Sequence, residues 1–219
     1  RIYTAWLSFW DDVWARAGRR PVVVVHMGDA VDGHMERNGQ ALQSTEDQCS
    51  AAVEVLRPQT KRAAEYHQIL GTEAHSGRLW KDEIAVAKEL KATTIGPELE
   101  LDVAGVVYNL GHHGRGPGQL WGSSATKTAA QIVMAAALSA SRIPRFVVRA
   151  HTHQVDDSGE RFAICRAFVT PCWQAKTAYG YRVAHNNPND IGGVIIDGED
   201  VLFRRYPIRQ KVEHRYVNG

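Results

Sequence analysis

Apolar residues recur at helical spacing near the start of the chain, where Trp6, Phe9, Trp10, Val13 and Trp14 predict an amphipathic helix over residues 3–17. The pattern then changes. Val22-Val23-Val24-Val25 is an unbroken β-branched run and predicts a buried strand over 21–27. Ser44 and Thr45, with Asp47 and Gln48 three residues on, have the form of an N-cap and capping box. A helix is expected from there to about Tyr66, disturbed at Pro58. Gln68-Ile69-Leu70 is a short strand, 80–91 a helix, Val106–Leu110 a strand, the Ala-rich stretch 124–141 a helix, and 146–150 a strand. Beyond it the pattern turns to strands and turns at 161–170, 192–197 and 200–208, with Asp197-Gly198 as a hairpin turn. Strand–helix alternation followed by a β-rich end predicts an α/β fold, a two-sheet α/β sandwich flanked by helices.

Neither an internal repeat nor a low-complexity linker divides the 219 residues, so a single domain over 1–219 is expected, large enough for a full core. The formal net charge of +2 gives no argument for a nucleic-acid or membrane partner. Arg204, Arg205, Arg209, Lys211 and Arg215 crowd the C-terminus and read as a solvated edge. Three cysteines, Cys49, Cys165 and Cys172, stand in no metal-binding spacing, and an odd count without a pattern points to a reducing, cytoplasmic setting. No apolar run approaches the roughly 20 residues of a membrane span. The chain opens on Arg1 rather than Met, directly in the first helix, so a segment upstream is expected. Oligomeric state is left open.

Four polar loops each follow an expected strand. They are Gly28-Asp29-Ala30-Val31-Asp32-Gly33, Gly71-Thr72-Glu73-Ala74-His75-Ser76-Gly77, Gly111-His112-His113-Gly114 and Arg149-Ala150-His151-Thr152-His153. Open α/β folds place their chemistry at such carboxyl ends. Carboxylate and imidazole together suit divalent transition metals such as Zn, Mn or Fe. A two-metal hydrolase needs a carboxylate able to bridge ions roughly 3.5–4 Å apart. Asp29, just after a glycine, has the position for that bridge. His151 and His153 are two apart, so in an extended segment both face one side and can serve neighbouring metals. His112 or His113 would complete a site. Each motif alone is common; their order, each after a strand, is what points to metal.

On these residues the chain resembles the calcineurin-like metallophosphoesterase superfamily, whose pattern runs Asp-x-His, Gly-Asp-x-x-Asp, Gly-Asn-His, His, Gly-His-x-His. Four of the five blocks have counterparts between Gly28 and His153. Thr170-Pro171-Cys172-Trp173-Gln174 also looks like segments of phage-type members. The resemblance implies two divalent ions (Mn, Fe or Zn), with Asp29 bridging, His151 and His112 (or His113) on the second metal and His153 on the first. Thr72 falls at the Asn ligand position, Asp32 would orient a catalytic histidine, and His75 would be the general acid, with Glu73 as the alternative. The implied reaction is hydrolysis of a phosphate ester by in-line attack of a metal-bridging hydroxide. Phosphodiesterase or nuclease and phosphatase activities are not separated by these motifs, and nucleic acid stays open as a substrate. By position, Arg115 would clamp a phosphate.

The chain also departs from the pattern. The Asp-x-His block, expected on a first strand before residue 1, is absent; Thr72 replaces Asn; Glu73 stands at the His position, with His75 two residues late; and Ala150 replaces Gly. The first three of these support a rival reading, a catalytically impaired phosphoesterase-like binding module. An amidohydrolase ranks third, because that class opens with His-x-His. His26 reads either as orienting a ligand or as a hydrogen-bonded core histidine. His34 reads as structural and Trp173 as core.

Overall fold

The computed structural model describes residues 1–34, 40–114, 123–177, 180 and 188–208. Helix α1 (Ile2–Ala17) is followed by β1 (Val23–His26), α2 (Thr45–Arg62), β2 (Glu65–Ile69), the single turn α3 (Glu73–Ser76), α4 (Lys81–Glu89) and β3 (Thr94–Gly96). Then come β4 (Glu98–Val103), β5 (Val106–Gly111), α5 (Ser123–Ser139), β6 (Phe146–Arg149), β7 (Asp156–Asp157), β8 (Arg166–Val169), β9 (Gly192–Asp197) and β10 (Asp200–Arg205). The strands form a parallel sheet β1-β2-β3, a mixed sheet β4-β5-β6-β8-β7 and an antiparallel hairpin β10-β9. The fold is the expected mixed α/β arrangement of sheets and helices.

Alternation along the strands builds the layers. In β6, Phe146 and Val148 point to a core shared with Ile69, Leu110 and Phe168, while Val147 points the other way and packs with Ala125 and Ala129 of α5. In β1, Val25 joins the inner core and Val24 turns outward to Trp6, Phe9, Trp10 and Val13 of α1 and Leu56 of α2. Trp173 sits edge-on to Trp6 and Phe9, with ring centroids 5.2 and 5.6 Å apart, as a core residue. Among the described residues no helix is long and apolar enough to cross a membrane.

Several boundaries differ from the sequence pattern. Helix α2 carries Pro58 without ending and stops at Arg62, because Ala63 turns to an extended conformation (φ −66°, ψ 150°). Glu65 and Tyr66, expected as helix, begin β2, which pairs with β1 on one side and β3 on the other. Its polar residues His67 and Gln68 are buried, so periodicity does not mark it as a strand. Strands β3 and β4 have no counterpart among the expected elements. In the expected strand 161–170 only Arg166–Val169 pairs, and β10 ends at Arg205.

The second sheet of the expected sandwich comes in two pieces. Among the described residues β1 pairs with β2 alone and β9 with β10 alone. Between them lies a cavity of about 590 Å³. Residues 22–27 and 192–198 line it consecutively rather than alternately. Consecutive lining means that strand edges, not strand faces, bound the space. The slot is floored by apolar side chains such as Leu110, Val148 and Phe168 and reaches His112, His151 and His153 at one end.

Candidate metal centre

The loops after β1, β2, β5 and β6 meet at one point, and two glycines let them do so. A Cβ on Gly28 (φ +97°) would lie 2.5 Å from His112 Nδ1 and 2.8 Å from the Gly71 Cα. A Cβ on Gly71 would lie 2.1 Å from Asp29 Oδ1. Any larger residue would push the loops apart.

Asp29 takes a left-handed conformation (φ 55°), uncommon for a residue with a side chain and typical of functional loops. Its carboxylate accepts the Thr72 backbone N–H at 2.6 Å and the Thr72 hydroxyl at 3.1 Å from each oxygen. Asp29 Oδ2 lies 2.9 Å from His112 Nε2. His112 is buried and its Nδ1–H donates to the Met27 carbonyl at 2.6 Å, which leaves Nε2 facing the carboxylate and, at 3.2 Å, His151 Nδ1. His113 stacks edge-on beside both rings, its centroid 4.9 Å from His112 and 4.6 Å from His151.

The His151-Thr152-His153 segment is not extended. His151 (φ 71°) and His153 (φ 59°) are both left-handed, so the chain turns between them. His151 faces His112. His153 Nδ1 instead accepts from the Asn189 side-chain amide at 3.3 Å, while Asp190 N–H donates to the His153 carbonyl. Ala150, in place of glycine, precedes this turn and is not itself left-handed.

Beside this cluster, His75 Nδ1 faces Asp32, 3.1 Å from its carbonyl oxygen and 3.4 Å from Oδ1. Gln40 holds the other Asp32 oxygen at 2.6 Å. The hydrogen bond with Asp32 raises the His75 pKa to about 9, and in return His75 holds the Asp32 carboxyl below its usual range. Burial would raise Asp29, but hydrogen bonding and charge from His112 and the Thr72 N–H outweigh it and keep the carboxyl ionised. His75 contributes to that field as well. Burial would lower His112, but the Asp29 carboxylate raises it. Burial, followed by the charge of His112, lowers His151 to about 4 and also lowers His113. Burial lowers His153 too.

The raised His75 pKa has a measurable consequence. A histidine raised from its unfolded value of about 6.5 stabilises the fold fully below that pH and loses its contribution as pH rises through the folded pKa, here about 9. Urea titrations of the metal-free chain should show His75→Gln less stable than wild type at pH 6, with the gap closing above pH 9. A gap independent of pH would mean that His75 stabilises by packing alone.

The residues that hold these loops carry no motif that singles them out in the sequence. Glu83 of α4 is fully buried and its carboxylate accepts from Ala30 N at 3.1 Å, Gln68 Nε2 at 3.0 Å, Gly71 N at 2.7 Å and Ser76 Oγ at 2.9 Å. Gln48 of α2 accepts from both Asp32 N and Gly33 N at 2.9 Å and donates to the Gly33 carbonyl. His26 Nδ1 accepts from Gln68 Nε2 at 3.0 Å and from Gly28 N at 3.3 Å, which makes it a hydrogen-bonded core histidine under the Asp29 loop. Glu73 is exposed, and Oε1 accepts the Leu79 N–H at 2.8 Å. His34 is exposed. Arg115 lies outside the described residues.

The donor set fits a divalent transition metal. Asp29 Oδ2 and His151 Nδ1 each approach His112 Nε2, one nitrogen from each of His112, His113 and His151 lies within 4.8 Å of the other two, and a His112 that bonds a carbonyl through Nδ1 is oriented as ligating histidines are.

No protein-family model matches the chain, and no curated protein matches it. Among solved structures, it aligns with an archaeal phosphodiesterase at 11% identity, covering 87% of this chain and 86% of that one, with a TM-score of 0.46. It aligns with Yfce, a phosphoesterase from E. coli, at 16% identity over 90% of this chain and 83% of that one, with a TM-score of 0.45. A Vps29 single mutant from Entamoeba histolytica aligns at 13% identity over 87% and 78% of the two chains, with a TM-score of 0.42.

Proposed function

We propose that this chain is a divalent-metal-dependent phosphoesterase acting on phosphate esters. The observation that carries this reading is the meeting of two devices at one point. Metal-type donors from His112, His113 and His151 cluster there with Asp29 on His112, and His75 stands beside them on Asp32. Asp29, His112, His151 and His153 would hold the metal, which, when bound, lowers the pKa of water and neutralises charge on phosphoryl oxygens.

The chain's own residues then divide the work. His75 is a cation up to about pH 9, so across neutral pH it carries the proton that a leaving alkoxide needs. Asp32 fixes the ring and keeps that proton on it until transfer. The alternative acid, Glu73, uses its carboxylate on a backbone N–H and faces solvent, which favours His75.

The test is hydrolysis of p-nitrophenyl phosphate and bis(p-nitrophenyl) phosphate by the manganese-loaded chain. Turnover is expected, lost with EDTA and restored by manganese. His75→Gln should lower kcat by about a hundredfold, within the range of general acid catalysis, with metal content unchanged. A folded, metal-loaded chain that cleaves neither ester would refute the enzyme reading and leave the binding module.

A further inference from the structure

We propose that His113 is itself a metal ligand, so that the ion held by this chain sits among three imidazoles, those of His112, His113 and His151, with the Asp29 carboxylate beside them. This rests on the metal-centre reading above and assigns to His113 the coordination position that Thr72 leaves unfilled.

The argument is geometric. One ligand nitrogen from each of the three histidines lies within 4.8 Å of the other two. Two nitrogens bound to one tetrahedral zinc at about 2.0–2.1 Å stand about 3.3 Å apart. His112 Nε2 and His151 Nδ1 are already 3.2 Å apart, and Asp29 Oδ2 is 2.9 Å from the same His112 nitrogen. The His112–His151 pair thus already has the spacing of two donors on one ion. His113 is exposed and already places a ring nitrogen within 4.8 Å of the other two.

Thr72 is differently occupied. Its hydroxyl lies 3.1 Å from both Asp29 oxygens, and its N–H bonds Oδ1 at 2.6 Å. Its role is to aim the carboxylate, and a hydroxyl proton given to Asp29 points the group at the ligand rather than at an ion. A chain with Thr at this position lacks one amide donor, and His113 supplies a stronger one from the neighbouring loop. Imidazole-rich donor sets select zinc, copper, iron or nickel over magnesium or calcium.

The experiment is Zn²⁺ titration calorimetry on the 219-residue chain, His113→Ala and Thr72→Ala, with X-ray absorption of the bound zinc to count imidazoles. His113→Ala is expected to weaken Zn²⁺ binding about tenfold or more, as loss of a direct ligand should, and to remove one imidazole from the spectrum. Thr72→Ala should leave the imidazole count unchanged. Because His113 is exposed, alanine there is tolerated by the fold, and circular dichroism verifies it. If wild type binds zinc and His113→Ala binds it equally well with the same imidazole count, His113 is not a ligand and only this inference fails. If the folded wild-type chain binds no zinc, cobalt or manganese, the metal-centre reading itself fails, and this assignment with it.

Discussion

On the proposed function, Asp29→Asn is expected to abolish metal binding and lower phosphoester hydrolysis by about a thousandfold or more. A metal supplies several kcal/mol of transition-state stabilisation, and each 1.36 kcal/mol is tenfold in rate. Asparagine keeps the size and can still accept from the Thr72 N–H, so the loop is retained while the charge is lost. The substitution also changes a proton count. In the metal-free chain the Asp29 carboxylate outweighs burial and raises the His112 pKa, so an incoming ion competes with a proton for that nitrogen. Metal affinity should rise with pH, and calorimetry in two buffers of different ionisation heat should show proton release. In Asp29→Asn the charge that favours the imidazolium is gone, so any residual binding should release fewer protons. Unchanged metal content in the Asn variant would remove Asp29 from the ligand set.

Glu83→Ala is expected to be the most destabilising single change near the site, by about 4 kcal/mol, because buried donors left without a partner cost about 1–3 kcal/mol each and do not add fully. Four donors depend on this carboxylate: two backbone N–H groups, one hydroxyl and one amide, drawn from the loops after β1 and β2, from α3 and from β2. Glu83→Gln should also be costly, about 2 kcal/mol, because either orientation of the amide turns an NH2 toward a pair of donors. Urea unfolding measures both. The Gln variant, where it remains folded, should bind metal about tenfold more weakly, the scale on which supporting partners act on metal sites. Less than about 1 kcal/mol for Glu83→Ala, below the cost of a single unpaired buried donor, would mean that the loops hold their shape without it.

Much of the architecture is legible in local pattern. Val22–Val25 and Phe146–Val148 become β1 and β6, and the aromatic stripe of residues 6–14 becomes the buried face of α1, because in each the repeat of apolar residues matches the element's own period. Strand β4 is equally legible, although it is not among the expected elements. Glu98-Leu99-Glu100-Leu101-Asp102-Val103 alternates polar and apolar, and its burial alternates in step. Strand β2 is legible only at its end. Gln68 and Ile69 fall in the expected strand, but Glu65 and Tyr66 look like the end of a helix, and only pairing with β1 makes strand of them.

The candidate site divides in the same way. The sequence by itself determined which residue types stand at the ends of which strands, since β-branched runs and the glycines after them are local signals. From these alone Asp29, His151, His153 and one of His112 and His113 could be named, while Asp32 and His75 took their roles from the family resemblance. The tertiary structure decided which of them meet. The left-handed turns at His151 and His153 replace the extended segment that their spacing suggested. The 3.2 Å approach of His112 to His151 joins residues 39 apart in the chain. Glu83, one of many acidic residues on helices, becomes the clasp of the site because α4 buries it under two loops. Such roles depend on distances between segments remote in sequence, and no local periodicity encodes a distance across the fold.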